Sequence, residues 1–154
     1  MRDFLQQIRE RVSIPWLVLT IVFIAVIWGN SLVPGSGSDS LSLGVLEVVR
    51  GALRSAGLPF EWLTNFLVRK TAHFCEYAVL GVLASQAFDP HRRLSRGGIV
   101  ATALLCALVP SIDETIQLFV AGRSGQVTDV LLDCCGAVCG MAARALAVRA
   151  LRRR

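Results

Sequence analysis

Long apolar runs broken by short polar blocks dominate the chain, and several runs have the length of a bilayer. The first extends from Pro15, a residue suited to the opening turn of a helix, to Val33. About 20 apolar residues are what a helix needs to cross the hydrocarbon core. The run is long for a signal peptide, and no small-residue cleavage site precedes the Pro34-Gly35-Ser36-Gly37-Ser38 stretch, so the helix is expected to be retained. A second span is expected over about 70–88, ended by Asp89-Pro90-His91-Arg92-Arg93. A third is expected over about 98–112, with helix continuing toward Phe119, and a fourth over about 128–148.

Residues 34–58 follow a different pattern. The Pro/Gly/Ser opening reads as a flexible turn. Leu41, Leu43, Val45, Leu46, Val48, Val49, Ala52 and Leu53 then recur among Glu47, Arg50 and Arg54, as in an amphipathic helix lying on a membrane surface or over the bundle. Gly57-Leu58-Pro59 ends it, and Phe60, Trp62 and Phe66 suit an interfacial aromatic belt. The expected fold is all-α: an integral membrane bundle of four transmembrane helices with an extracytoplasmic amphipathic helix after the first. Residues 15–148 form one membrane domain between a cytoplasmic segment, 1–14, and a basic cytoplasmic tail, 149–154.

Composition agrees: 54% of the 154 residues are hydrophobic, and the mean hydropathy is +0.59. The net charge of +5 reads as topology before nucleic-acid binding, because the arginines flank apolar runs. Arg2, Arg9 and Arg11 precede the first, Arg92, Arg93 and Arg96 lie between the second and third, and Arg149 and Arg152 to Arg154 follow the fourth. Four spans place all three groups on one side, the cytoplasm by the positive-inside rule, with both termini. No phosphate-binding glycine loop, zinc ribbon or nucleic-acid motif is present. Cys75, Cys106, Cys134, Cys135 and Cys139 fall inside predicted helices and read as small apolar packers.

The ionisable residues within the spans are the candidates for function, since such groups are costly in a bilayer and usually line a protein interior or a working site. In this topology polar residues gather at the outer end of every span: Asn30 and Ser31 on the first, His73, Glu76 and Tyr77 on the second, Asp113, Glu114 and Gln117 on the third, Asp129 and Asp133 on the fourth. Arg69, His73 and Glu76 form one helical stripe, Lys70, His73 and Tyr77 another, and both can share a face. His73 and Glu114 are the candidate acid/base groups. Lys70, Glu76, Tyr77, Asp113, Gln117, Arg123, Asp129 and Asp133 are candidate ligand-binding residues. Arg123, in a Gly-Arg-Ser-Gly turn, can clamp a phosphate or carboxylate, or it can pair with Asp113, Asp129 or Asp133 and lock the loop to the bundle. Thr128 can cap the fourth helix, and Asp129 suits its N-terminal dipole. Gly136 and Gly140 permit close helix approach. His73 with Glu76 makes no complete metal set, so neither a metal nor another cofactor is expected.

Together the blocks resemble the VanZ-like family. Its pattern appears here as Asn30-Ser31 with Pro34-Gly35, then Lys70, His73, Phe74, Tyr77, Leu80 and Gly81, then Asp113, Glu114, Gln117, Phe119, Gly122 and Arg123, then Asp129, Asp133, Gly136 and Gly140. The resemblance covers about residues 17–145. It departs at Ala121, where the family often has proline, and at Cys134-Cys135. The resemblance implies a small multi-spanning protein of the bacterial cytoplasmic membrane. The family's namesake is associated with low-level resistance to teicoplanin, a lipoglycopeptide.

Three functional classes follow. The first binds or modulates an envelope lipid head group, a lipid precursor or a lipoglycopeptide, with Lys70 and Arg123 as anion contacts. The second is a membrane enzyme acting on a phosphorylated or acylated envelope lipid. The third is a proton-coupled transporter using Asp133, Glu114 and His73, which with four spans would need to form a homo-oligomer. Membrane lipids are the expected partners, and nucleic acid is not.

Overall fold

A computed structural model describes residues 12–91 and 94–153. Arg2, Arg9, Arg11, Arg92, Arg93 and Arg154, used above for topology, lie outside the described residues. The described chain is helical, with α1 over Ile14–Ser31, α2 over Gly35–Ser55, α3 over Asn65–Phe88, α4 over Arg96–Gln117 and α5 over Val127–Arg152.

Local sequence sets the helix ends. The Thr64 hydroxyl accepts from Leu67 N at 3.2 Å and that of Ser95 from Gly98 N at 3.2 Å, each satisfying a free N–H at a helix start. Gly57, at φ 69°, ends α2. Its N–H donates to Arg54 O, and Leu58 N donates to Leu53 O at 2.9 Å, the paired bonds of a glycine C-cap. Two expectations change. The Gly/Ser stretch after Pro34 is helical from Gly35 rather than a flexible turn. Thr128 does not cap α5: Gln126 occupies that position, and Thr128 sits one residue inside.

Helices α1, α3, α4 and α5 pack side by side with alternating direction. Ser13 N donates to Ala87 O at 2.8 Å where α1 begins and α3 ends, while Asn30 at the other end of α1 reaches Glu76. The most extensive contact joins α3 to α5, which run parallel. It depends on missing side chains. A β-carbon on Gly136 would lie 2.4 Å from Phe74 O, one on Gly140 1.9 Å from Ala78 O, and one on Gly81 2.2 Å from Ala137 O. The small-residue spacing on α5 therefore does what the sequence predicts, with Gly81 as a further contribution from α3.

The core joins Ile24 and Ile27 of α1, Tyr77, Leu80 and Ala84 of α3, Cys106 and Val109 of α4 and Ala137 of α5. Outside it the surface is unusually apolar: Val18 and Ile21, Leu104 and Leu108, and Leu131 and Val138 all point away from the protein. Helices apolar on their outward faces need an apolar surrounding. Three helices, α1, α4 and α5, are long and apolar enough to cross a membrane. The expected second span is a helix, α3, but it is not one of these three, since His73, Glu76 and Gln86 keep its hydropathy low even beyond Arg69 and Lys70. Burial at Tyr77, Leu80, Gly81, Ala84, Ser85 and Ala87 places it among the other helices.

Helix α2 packs on α3, held by an Arg69–Asp39 ion pair at 2.9 Å and by Arg50 donating to Leu63 O at 2.6 Å. Leu46 is buried, whereas Leu41, Val45 and Val48 are exposed. A second polar cluster, not anticipated from sequence, lies at the other end of α3. Arg144 of α5, 7% exposed, donates to Asp89 Oδ2 at 3.1 Å, Asp89 O at 2.6 Å and Gln86 Oε1 at 3.0 Å.

Candidate functional site

The polar ends of α1, α3, α4 and α5 converge, as the sequence predicts. Gln117 is the hub on α4. Its side-chain Nε2 donates to Ser31 Oγ at 3.3 Å, Asp113 Oδ2 at 3.2 Å and Glu114 Oε1 at 3.1 Å. An amide nitrogen has two hydrogens, so three acceptors share two donors. Glu114 Oε2 accepts Gln126 N at 2.8 Å, tying the end of α4 to the start of α5. Both oxygens of Glu114 thus serve the framework.

On α3 the two expected stripes share one arc, but their members turn to different partners. At about 100° per residue, Arg69 and Glu76 fall on one edge of an arc, Lys70 and Tyr77 on the other, and His73 between them. Arg69 turns to Asp39 of α2. Glu76 Oε1 accepts from Asn30 Nδ2 at 3.3 Å, on the α1 side. Lys70 pairs with Asp129 in the first turn of α5, where the carboxylate also meets the positive end of the helix dipole. His73 Nδ1 stands 3.9 Å from Asp133 Oδ1, one turn deeper on α5. Tyr77 is fully buried, and its hydroxyl approaches Asp113 without closing a well-formed hydrogen bond.

Arg123 pairs with none of Asp113, Asp129 and Asp133, the acids offered by the sequence. Its Nε donates to Val33 O at 2.9 Å and its Nη2 to Asn30 O at 2.8 Å. These are carbonyls at the end of α1, where helical donors run out and the dipole is negative. Burial, followed by the nearby Arg69 charge, lowers the Arg123 pKa. An arginine stays charged in such a setting. Arg123 therefore fastens the turn over 118–126 to α1, with two of its nitrogens committed to the backbone. Gly35 N reinforces this by donating to Ala121 O at 3.0 Å.

Between these groups lies a cavity of about 140 Å³, lined among others by Lys70, His73, Gln117, Gln126, Asp129 and Asp133. A larger space of about 550 Å³ lies between α4 and α5 near Arg144, but its walls are mainly apolar. The smaller cavity is the one that touches the ionisable groups.

The profile of the VanZ/LLP1 family matches residues 16–148, most of the chain. The chain belongs to the VanZ/LLP1 family. No curated protein and no solved structure matches it significantly. Family membership and the three apolar helices make it a VanZ-like membrane protein.

The VanZ-like motifs thereby acquire separate physical roles. Lys70, Asp129, Glu114 and Arg123 hold helices and turn together. Gln117 distributes donors, and Glu76 lies at the α1 edge. His73, Tyr77, Asp113 and Asp133 meet in the interior. Sequence reading passed over Asp39 and Gln126 as partners. Asp39 sits in a stretch that looked like loop, and Gln126 contributes to Glu114 through its backbone, which leaves no side-chain signature.

Proposed function

We propose that this protein is a four-span protein of the bacterial cytoplasmic membrane. In this reading its polar cavity faces the extracytoplasmic side and holds the head group of an envelope lipid or a lipoglycopeptide. The observation that carries the reading is the cavity itself, with Lys70 and His73 on one wall and polar groups of α4, α5 and the 118–126 turn on the others. Helix α3 acts as the fourth span. It runs antiparallel to α1 and α4, and its charges face protein, where ionisable groups are tolerated within a membrane domain. Arg96, Arg149 and Arg152 lie at the ends of α4 and α5 remote from the cavity, so the positive-inside rule turns the cavity outward. Helix α2 then lies on the outer surface with Leu41, Val45 and Val48 toward lipid.

Recognition of an anionic head group would work by exchange. Lys70 is bound to Asp129, and its ammonium also stands 5.2 Å from the Phe66 ring centroid at the mouth of the cavity. A phosphate entering there can replace Asp129 as the partner of Lys70, with Gln126 and Ser124 side chains as added donors. Family membership is the reason to look for this activity in glycopeptide resistance of the teicoplanin type.

The test is native mass spectrometry of lipids retained by the wild type and by Lys70→Met, with Glu47→Gln on the exposed face of α2 as control. An envelope lipid held by the wild type and the control, and lost from Lys70→Met, is the expected result. Identical lipid profiles for all three would overturn the reading. One observation favours an enzyme instead: the buried Asp133 carboxylate lies where it can orient the His73 imidazole. A lipid species that changes in cells carrying the wild type, but not in cells carrying His73→Gln, would move the assignment to that class.

A further inference from the structure

Three side chains from three helices meet below the cavity: His73 of α3, Asp113 of α4 and Asp133 of α5. One potential ligand atom from each lies within 4.8 Å of the others. Both carboxylates are fully buried; His73 is partly exposed, and His73 and Asp133 line the cavity. Two buried carboxylates carry a heavy desolvation cost unless they are paired or bound to a metal. The local cations are largely taken: Lys70 by Asp129, and Arg123 by the carbonyls of α1.

The hydrogen bonds show the same deficit. Neither oxygen of Asp133 has a hydrogen-bond partner, and Asp113 Oδ1 has none. Asp113 Oδ2 shares the Gln117 amide, with the Ser31 and Tyr77 hydroxyls close by, so the deficit is greatest at Asp133. Buried acceptors of this kind are rare in native proteins, and a bound ion is one of the few things that accounts for them. The ligand atoms, moreover, come from three separate helices, so their convergence is not a by-product of one helical stripe.

The geometry points to a divalent metal site formed by His73, Asp113 and Asp133. One imidazole and two carboxylates form a mixed nitrogen and oxygen set suited to Zn²⁺ or Mn²⁺ rather than to Ca²⁺, which takes oxygen ligands almost alone. Metal–ligand bonds of about 2.0–2.2 Å put neighbouring ligand atoms roughly 3–3.5 Å apart. The His73–Asp133 separation of 3.9 Å is therefore closed by a small rotamer adjustment. Two carboxylates and one divalent ion balance in charge. The cavity supplies an entry path on the His73 side, and Tyr77 stands next to Asp113. Glu76, which sequence reading placed beside His73, is not part of the set because it faces Asn30. The site goes beyond head-group binding and does not depend on it.

The experiment uses the full chain in lipid nanodiscs, stripped with chelator and titrated separately with ZnCl₂ and MnCl₂. Bound metal is read by elemental analysis and the titration by calorimetry. The wild type and Glu47→Gln are expected to bind about one ion per chain, with Asp133→Asn and His73→Ala weaker by on the order of tenfold or more. Circular dichroism reports whether each variant is folded. If a variant is not, Mn²⁺-loaded wild type alone decides through pulsed electron paramagnetic resonance, where coupling to an imidazole nitrogen is expected. Binding no tighter than in folded Asp133→Asn, or Mn²⁺ without nitrogen coupling, overturns the site. Lipid retention is measured in the same samples. Metal bound without lipid defeats only the head-group reading, and lipid retained without metal defeats only this one.

Discussion

The Cys134 thiol of α5 donates to the Cys106 carbonyl of α4 across 3.8 Å, at the position where α4 cannot supply its own donor. Pro110 stands four residues after Cys106 inside that helix, and proline has no N–H. The freed carbonyl is buried in the core and is met by the neighbouring helix instead. Cys134→Ala is expected to cost about 0.5–1 kcal/mol in a Pro110 background. In a Pro110→Ala background, where residue 110 regains its N–H, the same change should cost close to nothing. A double-mutant cycle by thermal unfolding in detergent measures the difference, and equal costs in both backgrounds would refute the relationship.

Glycines on α5 and α2 should respond in opposite ways. Gly140→Ala would set a methyl 1.9 Å from Ala78 O and force α3 and α5 apart. The expected loss is about 1–3 kcal/mol. Gly44 has open space around it, so Gly44→Ala should gain about 0.5–1 kcal/mol from helix propensity. Unfolding midpoints of the two variants settle the sign.

Arg144 and Asp89 are both buried, with side chains 5% and 7% exposed. Arg144→Met leaves Asp89 and Gln86 without those donors and should destabilise the protein by about 3–5 kcal/mol. Asp89→Leu combined with Arg144→Met should recover part of the loss, since an apolar pair removes the desolvation cost. Denaturant titration of the single and double variants provides the comparison, and a double variant weaker than Arg144→Met contradicts it.

The Arg123 clamp predicts a local effect. Arg123→Ala should speed amide hydrogen exchange over 118–126 and at the end of α1 by on the order of tenfold or more, with exchange in the α3–α5 contact unchanged. If exchange stays constant and only lipid retention falls, the guanidinium serves the ligand and not the turn.

Topology is checked at Ser124, in the same turn. A Ser124→Cys variant in a background lacking the native cysteines should react with an impermeant maleimide from outside intact cells. Labelling confined to lysed cells would place the cavity on the cytoplasmic side.

Much of this was legible in the sequence because helical spacing is a strong signal in apolar segments. The extents of α1 and α4 and the start of α5, the meeting of Asn30, Glu76, Gln117 and Asp129 at one level, and the Gly136/Gly140 contact all follow from it, whereas α5 runs to Arg152, past the expected end at 148. Partner choice does not follow. Arg123 meets main-chain carbonyls, which carry no sequence signature. Arg69 and His73 lie within one helical arc but turn to α2 and α5 respectively. The Arg144–Asp89–Gln86 cluster was hidden because Asp89 marked a helix end and Arg144 sat in an apolar run. The partners of the α3 charges, Asp39, Asn30 and Asp129, lie on neighbouring helices, and the hydropathy of a segment does not register partners.

Gly35 and Gly122 touch backbone to backbone, so closely that a β-carbon on Gly35 would fall 2.0 Å from Gly122 O. That contact couples two parts of the protein that sequence separates widely. Helix α2 cannot swing on its first turn without dragging the turn that carries Arg123 and Ser124. If α2 lies on the membrane surface as proposed, lateral pressure on its exposed Leu41, Val45 and Val48 face would be passed to the turn whose Ser124 and Gln126 line the cavity.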